Sequence, residues 1–238
     1  ARAAVDKGIN RFIYTGTIAS YDMSNPSTVI DELTAFPEEM EDRNVYARSK
    51  AECERQLLEL YQESGLPLSI VRPGIVLGKG GPLQHWGIGR WQGAGAIKLW
   101  GSGKNILPFV LNSDVALGLV LVMKSELAIG KSYNLVGDSF LTGRDYFREI
   151  KKRLNADIDV SSGNLVGFWL MDIIKSKLKR VILRERDTTA MSLSDWKSRA
   201  HLSRFSNQKA KEDLGWQPIS DREDFLMAAI DDANLFGF

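Results

Sequence analysis

The sequence predicts an α/β fold: the C-terminal part of a doubly wound, Rossmann-like parallel sheet, followed by a smaller, mainly helical lobe. Short β-rich runs alternate with helical segments as far as residue 137, and this alternation is typical of a parallel sheet. From Thr142 onward the pattern is mostly helical. We therefore divide the chain into a sheet domain over residues 1–137 and a lobe over residues 138–238.

The strands of the predicted sheet are short apolar runs that end near glycine or proline. They cover residues 11–15, 68–72, 75–77, 109–111 and 133–136. Helices are predicted over residues 44–64, which Gly65 ends, and over residues 115–123, with Asp114 as the N-cap. Glycines recur through residues 79–108, and we interpret this segment as a flexible loop.

The lobe is predicted to contain four helices. They cover residues 145–154, 166–183, 208–214 and 221–233. In the second of them, apolar residues interleave with Lys175, Lys177, Lys179 and Arg180. A basic amphipathic helix can lie on an anionic membrane surface. We favour the alternative, in which the apolar face packs on the body of the protein and the lysines are solvated.

Composition excludes several classes of protein. A net charge of +1 gives no electrostatic reason to expect nucleic acid binding. The single cysteine, Cys53, cannot form an internal disulfide, which favours a reducing, cytoplasmic location. His85 and His201 lack a paired ligand pattern, so no metal site is predicted. No apolar run reaches the roughly 18 residues of a membrane span, so none is predicted.

Tyr46 and Lys50 are four residues apart near the start of a predicted helix, so both side chains project from one face. A free tyrosine has a pKa of about 10, too high for a general base at neutral pH. A lysine ammonium one turn away favours the phenolate form of a tyrosine. Thr17 follows a predicted strand, where ligands bind in open α/β sheets, and its hydroxyl could share the proton. The same spacing also arises by chance, with tyrosine packed and lysine solvated.

Several further motifs favour the catalytic interpretation of this pair. They are residues 11–17 (RFIYTGT), 46–50 (YARSK), 71–78 (VRPGIVLG), 108–110 (PFV), 114–116 (DVA), 206–210 (SNQKA) and 214–218 (LGWQP). In this order and spacing they resemble the extended short-chain dehydrogenase/reductase family, of the NAD-dependent epimerase/dehydratase type. The resemblance extends over nearly the whole chain, and several linked motifs are more specific than any one of them.

The resemblance implies NAD or NADP as the cofactor and a small-molecule substrate with a hydroxyl or carbonyl group, such as a nucleotide sugar. Residues 1–137 would then be part of an NAD(P)-binding domain, residues 79–108 would lie on the substrate side, and residues 138–238 would form a substrate lobe. It also implies roles for single residues. Tyr46 would be the acid/base, Thr17 would bind the reacting oxygen, and Lys50 would hold the nicotinamide ribose. Thr15 and Gly16 would lie beneath the cofactor. The nicotinamide would be lined by Pro73, Gly74 and Ile75, with backbone groups reaching its carboxamide.

The chain departs from the family pattern in three places. None of its glycine pairs completes a Gly-x-Gly-x-x-Gly turn, so we expect the pyrophosphate-binding segment to lie upstream of Ala1, and the chain alone to bind NAD(P) weakly. Ile18 and Ala19 follow Thr17 where 4,6-dehydratases place an acidic pair, which favours epimerisation or simple redox chemistry. Many nucleotide-sugar enzymes of the family carry an arginine that binds diphosphate just before the Phe-Val segment, where this chain has Ile-Leu-Pro at residues 106–108. This difference weakens the nucleotide-sugar prediction but leaves it open, because four basic residues are nearby: Lys79, Arg90, Lys98 and Lys104.

The sequence is also compatible with a protein that has no activity of its own. The protein could be a non-catalytic member of the family that serves as a binding or scaffold subunit. Alternatively, this chain could be an inactive fragment. Leu57, Leu60 and Tyr61 could form a homodimer surface or face the sheet. Four residues could stack a ring-shaped substrate, although packing in the lobe core is the favoured interpretation for each: His85, Trp86, Trp91 and Trp100. Arg199, His201 and Arg204 loosely resemble positions near the substrate in the family.

Overall fold

The structure is a computed structural model, and it describes residues 1–23, 28–38, 40–93, 95–182, 190–201 and 203–233. Its strands are β1 Phe12–Thr15, β2 Val29–Ile30, β3 Leu68–Pro73, β4 Ile75–Leu77, β5 Gly89–Trp91, β6 Ala96–Leu99, β7 Ile106–Leu107, β8 Phe109–Leu111, β9 Ser132–Leu135, β10 Leu141–Thr142, β11 Asp159–Ser162 and β12 Arg204–Phe205. Its α-helices are α1 Arg2–Asp6, α2 Val45–Ser64, α3 Asn112–Lys124, α4 Gly143–Leu154, α5 Leu165–Ile182, α6 Leu193–Ser198, α7 Gln208–Leu214 and α8 Arg222–Leu226, and α8 continues as a π-helical turn over Met227–Asp231.

A parallel sheet in the order β1-β3-β9 lies at the centre of the fold. All six residues of β3 are buried, which fits a central strand covered on both faces. The chain continues beyond Gly74 into β4, which pairs with β8, also in parallel. The predicted α/β class with a parallel sheet is therefore confirmed.

The helix that follows β8 begins earlier than predicted. α3 starts at Asn112, its N-cap position is Leu111, and Asp114 lies within its first turn. The prediction of Asp114 as the N-cap was wrong because its carboxylate has another partner. It accepts a hydrogen bond from the Ile219 N–H at 3.1 Å and so ties the C-terminal segment to α3.

The glycine-rich segment is more ordered than predicted. The prediction of a flexible loop over residues 79–108 was wrong, because β5 and β6 form an antiparallel pair there, and β6 also pairs in parallel with β11. Ile97 and Leu99 alternate along β6 and are both buried in the lobe core. β5 and β6, from the first part of the chain, therefore form a small mixed sheet with β11 of the lobe and pack with the lobe helices.

α5 differs most from its prediction. The favoured interpretation placed its apolar face on the body of the protein, yet no residue of α5 is buried. Seven of its apolar residues are exposed: Val166, Leu170, Met171, Ile174, Leu178, Val181 and Ile182. Contacts of Phe168 with Trp100 and Trp196 on the opposite side of the helix hold it in place. The predicted end at Leu183 lies outside the described residues, and no described helix is long and apolar enough to cross a membrane.

α2 packs on the central sheet through the residues considered for a homodimer surface. Leu57, Leu60 and Tyr61 contact a buried cluster that includes Leu68 and Ile70. The alternative in which they face the sheet is therefore the one observed. The helix is fixed by Asn44, whose side-chain oxygen accepts the Ala47 N–H at 3.0 Å.

Candidate active site

A cavity of about 790 Å³ opens at the carboxyl ends of β1 and β3. Its wall contains all eight residues predicted for the site: Thr15, Gly16, Thr17, Tyr46, Lys50, Pro73, Gly74 and Ile75. They come from three segments, namely the end of β1, the start of α2 and the turn between β3 and β4. The segments meet because β1 and β3 are parallel and in register, so that Thr15 lies beside Val71 at the same edge of the sheet.

Tyr46 is the second residue of α2, directly after the Asn44 cap. Its side chain lines the cavity and is 56% exposed. Among the described residues, its phenolic oxygen has no hydrogen-bond partner within the protein. The phenol is therefore free to form a hydrogen bond with a ligand in the cavity.

Lys50 lies one turn further along α2, and its ammonium reaches back to the end of β1. Nζ donates a hydrogen bond to the Thr15 carbonyl oxygen at 2.9 Å and lies 5.3 Å from the centre of the Tyr14 ring. An ammonium has three N–H donors. In the described part of the chain one of them is used, which leaves two for a ligand in the cavity.

Thr17 is almost buried, with 8% of its surface exposed. Its Oγ1 accepts the Ala19 N–H at 3.2 Å and so caps the short 3₁₀ helix Ile18–Ser20. Because the oxygen is the acceptor in that bond, the hydroxyl hydrogen can still be donated to a ligand oxygen.

Gly74 allows two chain segments to approach closely in the cavity wall. A Cβ at this position would lie 2.0 Å from the Pro108 carbonyl oxygen. The Gly74 N–H donates to the Leu135 carbonyl at 3.0 Å, and the Ile75 N–H donates to the Pro108 carbonyl at 2.8 Å. These two amide donors are therefore already used within the sheet, so a ligand contact at this turn would need other atoms.

A buried ion pair lies behind the cavity and joins α2 to β3. The Arg72 guanidinium binds both carboxylate oxygens of Glu54, and its Nη1 donates to the Tyr21 hydroxyl at 2.6 Å. That hydroxyl donates in turn to Asn134 on β9 at 2.8 Å. Burial raises the pKa of Tyr21 to about 12, although the nearby Arg72 cation opposes the rise. The network ties the helix that carries Tyr46 to the central sheet.

A second polar cluster connects the start of α2 to the lobe. Asp195, which is 2% exposed, pairs with Arg43 Nε at 2.8 Å and with Arg199 Nη2 at 2.9 Å. Arg43 also donates to the backbone oxygens of Ala19 and Tyr21 at 3.0 and 3.2 Å. Burial lowers the pKa of Arg199, an effect that the Asp195 carboxylate opposes.

Three residues of this cluster line the cavity: Arg43, Asp195 and Arg199. The sequence pointed only loosely to Arg199 and gave no reason to choose the other two. His201 also lines the cavity, whereas Arg204 is absent from its wall. The i,i+4 spacing of Asp195 and Arg199 could have indicated that these two residues pair. That spacing is common on exposed helices, so it does not by itself indicate a place in a site.

The four residues considered as a stacking wall separate into two groups. His85 and Trp86 line the cavity. Trp100 is buried in the lobe, and Trp91 packs edge-on against Phe147. Core packing, the favoured interpretation, is therefore confirmed for Trp91 and Trp100.

The family model described as the NAD dependent epimerase/dehydratase family matches residues 1–136, more than half of the chain. This chain belongs to the NAD dependent epimerase/dehydratase family. The resemblance drawn from the motifs is thus confirmed, and the matched region contains all eight predicted site residues.

Two sequence relatives cover only parts of this epimerase/dehydratase family member. The uncharacterized protein y4nG of Sinorhizobium fredii is 29% identical over 162 residues, which are 67% of this chain and 39% of y4nG. The UDP-glucose 4-epimerase of Vibrio cholerae is 34% identical over 84 residues, which are 34% of this chain and 24% of that enzyme. The chain therefore spans less than half the length of either relative.

Solved structures confirm the Rossmann-like fold. The crystal structure of gox2253 has a TM-score of 0.72 and 23% identity, with 97% of this chain and 68% of that chain covered. The UDP-glucuronic acid 4-epimerase from Bacillus cereus, in complex with UDP-glucuronic acid and NAD, has a TM-score of 0.65 and 15% identity, with 97% and 63% covered. At these identities the likeness establishes the fold alone.

Proposed function

We propose that the protein containing this chain is an NAD(P)-dependent epimerase or dehydrogenase/reductase that acts on a hydroxyl or carbonyl group, with Tyr46 as the acid/base. The observation that carries the proposal is the meeting of Tyr46, Lys50 and Thr17 in one cavity, from two segments of the chain. The family assignment supports the same chemistry. The lone cysteine favours a reducing, cytoplasmic location.

The three side chains have complementary roles in this proposal. As the phenolate, Tyr46 takes the proton of a substrate hydroxyl; as the phenol, it returns a proton to a carbonyl oxygen. Thr17 donates its hydroxyl hydrogen to the same oxygen, since its own Oγ1 accepts the Ala19 N–H. The Lys50 ammonium, held by the Thr15 carbonyl, donates its remaining hydrogens to ribose hydroxyls.

NAD or NADP fits one part of the cavity well. Pro73 and Ile75 provide an apolar wall for the nicotinamide, and Lys50 provides donors for the adjoining ribose. When bound, the cofactor supplies the hydride donor or acceptor. The pyrophosphate is different, because this sequence contains no Gly-x-Gly-x-x-Gly turn to bind it.

The charges of the cavity favour an anionic substrate. Among the described residues, its wall carries three cationic side chains, Arg43, Lys50 and Arg199, against one carboxylate, that of Asp195. A phosphate-bearing molecule such as a nucleotide sugar fits this balance. Ile18 and Ala19 place no carboxylate beside Thr17, so we favour epimerisation or redox chemistry over 4,6-dehydration.

The experiment measures turnover of nucleotide sugars by the full-length protein and by its Tyr46→Phe variant. Net oxidation or reduction is followed through nicotinamide absorbance, and epimerisation, which regenerates the cofactor, is followed by chromatography of the sugar product. Loss of the acid/base should lower kcat by about 10²- to 10⁴-fold. The matched control is Tyr61→Phe, which removes a hydroxyl from the same helix but outside the cavity wall.

Equal turnover by the wild type and Tyr46→Phe would contradict the assignment of the base. If the wild-type protein binds the cofactor but neither oxidises, reduces nor epimerises any substrate tested, the non-catalytic alternative is favoured instead. Substrate binding can be measured separately by calorimetry, so that weak binding is not mistaken for lost chemistry.

A further inference from the structure

α5 exposes a continuous apolar surface, which we call the α5 face: Val166, Leu170, Met171, Ile174, Leu178, Val181 and Ile182. At 3.6 residues per turn, these side chains fall within an arc of about 160°. The exposed fractions are high, 62% for Ile174 and 78% for Val181. Soluble proteins rarely leave so contiguous an apolar surface without a binding role.

The opposite side of the helix attaches it to the lobe. Phe168 stacks on Trp196 with ring centres 5.7 Å apart. The Asp172 carboxylate accepts the Met191 N–H at 3.2 Å. The α5 face is thus directed away from the lobe by specific contacts, and it does not result from a loosely placed helix.

Basic residues accompany the α5 face. The helix carries four basic residues, Lys175, Lys177, Lys179 and Arg180, against one acidic residue, Asp172. Lys175 and Lys177 are exposed, and at helical spacing they lie near the two edges of the apolar arc. Lysine side chains in that position can extend to lipid headgroups while the apolar residues between them enter the acyl boundary.

We propose that the α5 face docks the protein on an anionic membrane surface, with the helix lying in the plane of the interface. The argument is charge complementarity together with exposed apolar area. A second copy of this chain fits less well, because a symmetric contact would bring the lysines of one α5 face towards those of the other. An anionic lipid surface neutralises them.

The test is co-sedimentation of the full-length protein with vesicles of phosphatidylglycerol and phosphatidylcholine in equal parts, and with pure phosphatidylcholine vesicles. We expect binding to the first that weakens with added salt. Lys175→Gln/Lys177→Gln should weaken binding about 25-fold, at about 1 kcal/mol per basic residue. Ile174→Asp/Leu178→Asp should weaken it by more than about 100-fold, because apolar burial is lost.

The matched control is Leu127→Asp, which changes a leucine that is more exposed than Leu178 and lies on a different element, and it should leave vesicle binding unchanged. Circular dichroism checks that each variant is folded. The proposal is overturned if wild type does not bind anionic vesicles, or if it binds them no better than neutral ones. It is also overturned if sedimentation velocity shows a dimer that Ile174→Asp/Leu178→Asp dissociates, without any vesicle binding, since a second copy then occupies the face.

Discussion

Arg72 and Glu54 are both buried, so each depends on the other to offset the cost of leaving water. Arg72→Met should lower the free energy of unfolding by about 3–5 kcal/mol, because it leaves the Glu54 carboxylate buried without a cation. Urea unfolding followed by circular dichroism measures the change.

Arg55→Met on the same helix is the matched control. Arg55 pairs with Glu52 and Glu59, but all three side chains are about half exposed. Its loss should cost about 0–1 kcal/mol. The double variant Arg72→Met/Glu54→Gln should recover part of the stability lost in Arg72→Met, since no buried charge remains. Similar losses for Arg55→Met and Arg72→Met would show that burial does not decide the effect.

His201 makes the stability of the folded chain depend on pH. Burial lowers its pKa below the ordinary value of 6.5, and the nearby Arg43 cation acts in the same direction. The unfolded chain therefore takes up the proton first, so this residue reduces the free energy of unfolding as the pH falls through about 6.5. We expect wild type to lose more stability than His201→Gln between about pH 7.5 and about pH 5.5. The prediction would be refuted if the urea midpoints of the two proteins changed by the same amount over this pH range.

At the residue scale the sequence identified one side of the cavity better than the other. Tyr46, Lys50 and Pro73 belong to short local motifs, so they could be found without knowing the fold. Asp195 could not, because its role depends on Arg43, which lies 152 positions earlier and meets it only after the lobe packs on α2. An ion pair between distant segments leaves no periodic pattern in a sequence.

The passage from β3 to β4 depends on an unusually close approach of two chain segments. Because a Cβ on Gly74 would lie 2.0 Å from the Pro108 oxygen, Gly74→Ala must move backbone in the cavity wall. We expect it to cost at least about 1–3 kcal/mol, the usual penalty for overpacking. Thermal unfolding of the variant measures the cost.

Gly167→Ala on α5 is the control, and we expect it to raise the stability that Gly74→Ala lowers. A Cβ there meets only the Asn164 side chain, at ordinary contact distances of 3.5–3.7 Å. Alanine should stabilise this helix by about 0.5–1 kcal/mol, because glycine loses more conformational entropy on folding. If Gly74→Ala is as stable as the wild type, the prediction is wrong, because the backbone of the cavity wall then relieves the close approach without cost.

Among the elements, α2 and β3 were predictable because their own residues specify them: an asparagine cap and a glycine stop for α2, and a buried apolar run for β3. β11 was not, since its sequence Asp-Val-Ser-Ser has little apolar pattern and it forms a strand only by pairing with β6. β-propensity reflects the neighbours of a strand more than the strand itself. The exposure of the α5 face was not predicted for a related reason: periodicity identifies an apolar face of a helix but does not show what covers that face.

In the molecule as a whole, residues from both sides of the predicted boundary at residue 137 form the cavity. The sheet domain contributes Tyr46 and Lys50, and the lobe contributes Asp195 and Arg199. In the proposed function Tyr46 acts on the reacting oxygen, Lys50 donates to the cofactor ribose, and Arg199 would contribute positive charge toward an anionic substrate. The proposal therefore draws residues from both parts of the chain to a site at strand ends, where ligands bind in open α/β sheets.

The same division predicts how the 238-residue chain behaves with cofactor when it is produced by itself. It offers donors to the nicotinamide half, but its sequence has no glycine-rich turn for the pyrophosphate. Two hydrogen bonds to a charged phosphate contribute about 3–6 kcal/mol, so NAD should bind this chain at least about 100-fold more weakly than a longer form of the protein that supplies such a turn.

Calorimetry measures both affinities. Nicotinamide riboside, which has no phosphate, is the control ligand and should bind the two forms equally. Tight binding of NAD by the isolated chain would mean that other residues bind the pyrophosphate, with Arg43 and Arg199 the first to test.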